Sequence, residues 1–201
     1  MSVEESSETM RSGWSRGCND KFHKDRILAY STRQLNCVNV NSPLGYNMPM
    51  FSTSREEFES FVREGVEAIP QKFRPRINNV AFLVYAEPTA RQRKQNKLHP
   101  QETLFGLYEG IPHPARGENY GGLVMPDKIT IFKEPIESEA RLLLKEQFSN
   151  NIRSYTTADR KEMFGREVRK LVVDTVWHEV AHHFGLSEEK VEERERQRRS
   201  P

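Results

Sequence analysis

The sequence predicts an α+β fold on three observations. An amphipathic helical pattern occupies residues 54–69, three strand-like runs lie between residues 80 and 135, and two helical patterns follow between residues 137 and 184. A helix, a group of strands and then two helices make a two-layer α+β domain.

Ser54 with Glu57 three residues on has capping-box spacing, and Phe58, Phe61, Val62, Val66 and Ile69 then recur at helical intervals as one apolar stripe. Pro70 and Pro75 end that helix. After Asn78-Asn79, the run "VAFLVYA" (80–86) is continuously apolar and predicts a central strand. "LFGLYEG" (104–110) is a second strand, in which Gly106 and Gly110 permit a bulge or the close approach of another backbone. "KITIFKEP" (128–135) alternates as a third strand stopped by Pro135, and "ESEARLLLKEQF" (137–148) is helical. The last helix is expected to start near Asp159, where Asp159 and Glu162 repeat the capping spacing. It continues through Val168, Leu171, Val172, Val176 and Val180 to Phe184, with Gly185 as its left-handed stop.

A chain of 201 residues suits one domain with an appendage. Only 35% of residues are hydrophobic and 30% are charged, which places polar segments outside the core. We divide the chain into a polar, partly disordered extension (1–50), a domain (51–190) and a charged tail (191–201). Within the extension "RILAY" and "CVNVN" are short strand candidates. The net charge of +2 argues against nucleic acid or an anionic membrane as partner, and the basic run "RQRKQNK" has no interleaved aromatics. Cys18 and Cys37 do not make a disulfide framework, and with His23 they match no compact zinc module. No secretory signal and no membrane-length apolar run is visible, so a cytoplasmic location is expected. The connections at 88–103 and "HPARGENYGG" are read as lids at the rim of a cleft.

The chemistry is concentrated in "VWHEVAHHFGLSEE" (176–189). His178 and His182, four residues apart, project from one helical face and can converge on one zinc ion. Glu179 stands on the flank of that face, where its carboxylate can take a proton from an activated water without binding the metal. His183 is offset by about 100° from His182, so solvent or a supporting contact suits it better than ligation. Gly185 follows His182 by three residues and Glu188 follows Gly185 by three. The glycine reverses the chain and Glu188 returns as third ligand. Side chains alternate along extended chain, so Glu189 faces away. An H-E-x-x-H arises by chance in a chain this long on the order of one time in a hundred.

Four ordered segments, "EEFESFVREGVEAIPQKFRPRINNVAFLV", "LFGLYEGIP", "MPDKITIFKEPI" and "VWHEVAHHFGLSEE", resemble the minimal zincin-like metallopeptidase family of small bacterial proteins, over roughly residues 54–190. The resemblance implies a zincin half-domain, a small mixed sheet packed on helices with the active-site helix beneath it. It also implies ligation through His178, His182 and Glu188, with Glu179 as base. The family usually has Asp at the position of Glu188, one methylene shorter. Residues 136–158 read as an insertion, and the metzincin methionine turn is absent.

The expected function is a zinc-dependent peptidase acting on a peptide or protein. The alternative is a zinc-stabilised peptide-binding or regulatory protein with little hydrolysis. An edge strand beside the metal would pair with an extended substrate, and "LFGLYEG" is the candidate. Tyr108 on it is a possible oxyanion donor, the other reading being a packed strand tyrosine.

Overall fold

The computed structural model describes residues 29–30, 51–117, 125–148 and 155–199. Apart from Ala29–Tyr30, the expected N-terminal extension lies outside the described residues, as do residues 118–124 of the second connection. The fold is α+β, as the pattern predicts.

Helix α1 (Arg55–Glu67) starts at Ser54, whose hydroxyl accepts the Glu57 N–H at 3.1 Å. Its stripe is buried through Phe58 and Val62. Strand β1 (Ala29–Tyr30) pairs antiparallel with β3 (Thr103–Leu104), and β2 (Val80–Tyr85), β4 (Gly106–Glu109) and β5 (Asp127–Phe132) form a separate sheet in the order β2-β5-β4. Strands β2 and β5 run parallel, from Val80 opposite Asp127 to Tyr85 opposite Phe132, whereas β4 is antiparallel to β5.

The central strand is therefore β5, not the expected β2. Ile129 and Ile131 enter the main core with Phe58, Val168, Val172 and Val176. Phe132 joins Leu104 and Leu107 in a second, smaller cluster. With both faces covered, the alternating sequence of β5 carries the middle of the sheet, and the uniformly apolar β2 sits half-buried at one edge. The predicted run 104–110 also breaks at Phe105, leaving β3 and β4 as separate strands.

The connection expected to be an unstructured lid contains helix α2 (Ala90–Gln95). Thr89 and Gln92 cap it reciprocally: Thr89 Oγ1 accepts the Gln92 N–H at 3.2 Å and Gln92 Oε1 accepts the Thr89 N–H at 3.0 Å. Helix α3 (Lys133–Phe148) begins immediately after β5. Pro135 does not stop the strand. It lies in the first helical turn, where a missing N–H leaves no bond unmade. The apparent insertion contributes to the core through Ile136, Ala140 and Leu144. On the same helix the fully buried Glu137 accepts from the Thr53 N–H at 2.8 Å, from Ser52 Oγ at 2.9 Å and from Lys133 Nζ at 2.9 Å. That carboxylate fastens the entry to α1 onto α3.

Helix α4 (Thr157–His183) is the longest described helix, at 27 residues. Its capping box is Thr156 with Asp159, three residues earlier than expected. Its other end is a Schellman turn: Gly185 has φ 81°, its N–H donates to the His182 carbonyl, and the Leu186 N–H donates to the Ala181 carbonyl. The chain then re-enters a helix, α5 (Glu188–Arg199), where a charged tail was expected from residue 191. No described helix is long and apolar enough to cross a membrane.

Candidate metal centre

Helix α4 crosses α1 closely because Gly65 has no side chain. A Cβ there would stand 3.0 Å from Val176 Cβ. With Val168, Val172 and Val176 buried against α1 and the sheet, the last turns of α4 are held rigidly, and His178, Glu179, His182 and His183 are all buried.

His178 and His182 bring their Nε2 atoms to 3.0 Å from each other. Glu188, in the first turn of α5, straddles them, with Oε1 3.3 Å from His178 Nε2 and Oε2 3.2 Å from His182 Nε2. Glu189 is exposed. The expected alternation along extended chain is not what separates Glu188 from Glu189. Residues 188 and 189 are successive helical positions, about 100° apart, rather than alternate positions in extended chain.

The outer nitrogens decide whether these residues suit a cation. His178 Nδ1 lies 3.0 Å from Glu195 Oε1, and His182 Nδ1 lies 3.0 Å from the Leu186 carbonyl. Both partners are acceptors, so each neutral ring carries its proton on Nδ1 and turns its Nε2 lone pair inward. With both rings neutral, two lone pairs and a carboxylate converge on one point, and Glu188 Oε2 is buried without a well-aligned hydrogen bond. That is the donor set of a divalent cation. The 3.0 Å between nitrogens is close to the roughly 3.3 Å edge of a tetrahedron with zinc–nitrogen bonds of 2.0–2.1 Å. The three residues are the described group whose ligand atoms are placed to share one ion.

The charges follow the same geometry. Burial disfavours a charged His178, but the Glu188 and Glu195 carboxylates outweigh it and push the ring up to about 9. Burial raises Glu188, yet its contacts with both histidines hold it down at about 2. Glu179 is raised because burial outweighs the pull of the nearby histidines.

Glu179 lies against β4. A Cβ on Gly106 would fall 2.6 Å from Glu179 Oε1 and 2.8 Å from Thr175 Cγ2, so that glycine admits a side chain rather than the expected backbone. The Tyr108 backbone N–H donates to the Glu179 carboxylate. The Tyr108 phenol does not serve as the expected oxyanion donor. It is buried and donates to Asp127 Oδ2, which also receives Arg116. The strand tyrosine is thus packed, and what it offers the site is its main chain.

His183 stands apart from the triad, its Nδ1 3.5 Å from Asp127 Oδ2 and its Nε2 3.4 Å from the Arg76 carbonyl. Burial lowers its pKa. The cluster of Asp127, Arg116, Tyr108 and His183 ties the described part of the second connection to β4, β5 and α4. A Cβ on Gly110 would collide with the Asp127 carboxylate. Sequence reasoning missed Asp127, Arg116 and Glu195. The pattern Glu188–Val191–Glu195, one helical face around a lone apolar residue, was the available signal for the last of these.

A family model described as zincin-like metallopeptidase matches residues 77–198, more than half of the chain. The chain belongs to the zincin-like metallopeptidase family, which implies a metal ion. The matched stretch begins after α1, later than the quoted segments suggested, and continues through α5. No protein in the curated set matches the chain.

Proposed function

We propose that this protein is a zinc-dependent peptidase that hydrolyses peptide bonds in a peptide or protein. The observation that carries the reading is Glu179: a buried carboxylate beside the triad, outside the ligand set, with its pKa raised by burial. His178, His182 and Glu188 would hold the zinc. Zinc, when bound, supplies Lewis acidity that brings the pKa of a water from about 16 to about 7.

The rest belongs to the chain's own groups. Glu179 accepts the proton from the attacking water on its carboxylate and passes it to the leaving amine. A carboxylate raised by burial is a stronger base than one in water, which suits the first of these steps. The Tyr108 N–H orients that carboxylate. Strand β4 is an edge of the sheet among the described residues. The Phe132 N–H donates to the Phe105 carbonyl, so the bonded pairs of the ladder fall at residues 105, 107 and 109. The main-chain groups of Gly106 and the Tyr108 carbonyl therefore point away from β5, toward where an extended peptide would lie, while the Tyr108 N–H is taken by Glu179. On this reading the partner is a peptide, with neither nucleic acid nor membrane involved.

One observation favours a zinc-stabilised binding protein with little hydrolysis instead: Glu179 is only 3% exposed and His178 is fully enclosed. The test is turnover of a diverse peptide library by the zinc-loaded protein and by Glu179→Gln. The proposal expects hydrolysis by the wild type, and in the variant intact zinc binding with turnover reduced by several orders of magnitude. No turnover by the wild type would select the binding protein. Equal turnover by both proteins would remove Glu179 as the base.

A further inference from the structure

Helix α5 buries few of its side chains. Val191 and Glu195 are buried and Glu188 is half-buried, while Glu189, Glu192 and Glu193 are exposed. The inward residues fall at intervals of three and four, so one face of α5 rests on α4. A carboxylate on such a face is costly to bury unless a partner meets it. Glu195 meets His178: its Oε1 is 3.0 Å from Nδ1, on the side of the ring opposite the nitrogen that faces His182 and Glu188.

The two ligand histidines are therefore held differently. His182 has a backbone carbonyl at its outer nitrogen, fixed by the Schellman turn, and no substitution of a side chain removes it. His178 has a buried carboxylate supplied from seven residues beyond Glu188. An acceptor at Nδ1 fixes the proton there, sets the ring plane and makes Nε2 available as the donor. A charged acceptor additionally raises the donor strength of that nitrogen.

We infer that Glu195 is the positioning residue of the metal centre: it orients His178 and strengthens it as a ligand, and through it α5 delivers two functions, ligation at Glu188 and ligand orientation at Glu195. The inference rests on the reading that His178, His182 and Glu188 bind zinc.

The experiment is a zinc titration by competition with a chromophoric chelator, on wild type, Glu195→Ala, Glu195→Gln and Glu193→Ala. Zinc affinity should fall about 10–100-fold in Glu195→Ala. It should fall less in Glu195→Gln, which keeps an acceptor and loses the charge. Glu193→Ala, from the exposed side of the same helix, should match the wild type. A second readout is the proton resonance of His178 Nδ1–H in the zinc-loaded protein. It should lie far downfield in the wild type and move upfield in Glu195→Gln, a shift that a merely space-filling residue would not produce. If Glu195→Ala fails to fold, Glu195→Gln and its resonance carry the test. Zinc binding within twofold of wild type in both Glu195 variants, with an unmoved resonance, would overturn the role of Glu195 and leave the zinc site standing. A wild type that binds no zinc, or binds it independently of Glu188, would overturn the reading on which the inference rests.

Discussion

Among single residues, the glutamate that closes the triad is the decisive one. Glu188 reaches both Nε2 atoms at 3.2–3.3 Å, while its neighbour Glu189 faces solvent. Glu188→Ala should weaken zinc affinity by more than tenfold, about 1.4 kcal/mol or above, and Glu189→Ala should leave it unchanged. Chelator competition measures both, and the reverse order of effects would reassign the third ligand. His178, Glu179 and His182 were legible in the sequence because helical spacing alone puts them together. The partners of His183 were not. Arg116 lies 67 residues away and comes from a connection with no periodic signal. Tyr108 was placed on the correct strand, but the direction of its phenol depends on Asp127, which no local pattern links to it.

At the level of elements, the junction between α4 and α5 is the delivery device for Glu188. Gly185 sits at φ 81°, where an L side chain is strained. Gly185→Ala should cost roughly 1–2 kcal/mol in folding stability. It should also lower zinc affinity, because Glu188 depends on the reversal for its position. Chemical denaturation of the chelated protein measures the first effect and zinc titration the second; a destabilised variant with wild-type zinc affinity would show that α5 docks independently of the turn. The helices α1, α3 and α4 were visible as apolar stripes. The ladder order was not, since the apolarity of β2 and the alternation of β5 reflect which faces are covered, and coverage of the main core face comes from α1, α3 and α4 together. Helix α5 was hidden because Val191 is its single buried apolar residue.

Across the whole molecule, the centre links stability to pH and to metal. In the chelated protein His178 is raised from 6.5 to about 9, so its contribution is fully present below pH 6.5 and is lost as pH rises toward 9. Glu188 is lowered from 4.5 to about 2, so its contribution is fully present above pH 4.5 and is lost as pH falls toward 2. The stabilisation contributed by this pair should therefore be greatest between about pH 4.5 and 6.5, while His183, kept neutral by burial, lowers Tm as pH falls below 6.5. Zinc must displace the His178 proton, so the Tm difference between zinc-loaded and chelated protein should widen as pH rises from 6.5 to 9. Calorimetry in zinc and in chelator gives both curves. A gap independent of pH would mean that zinc binds without displacing that proton.

The position of the ion itself tests the central claim most directly. Anomalous diffraction at the zinc edge, from crystals of the zinc-loaded protein, should give one strong peak bounded by His178 Nε2, His182 Nε2 and the Glu188 carboxylate, with Glu179 outside bonding distance. A peak ligated by other residues, or none at these three, would contradict the account.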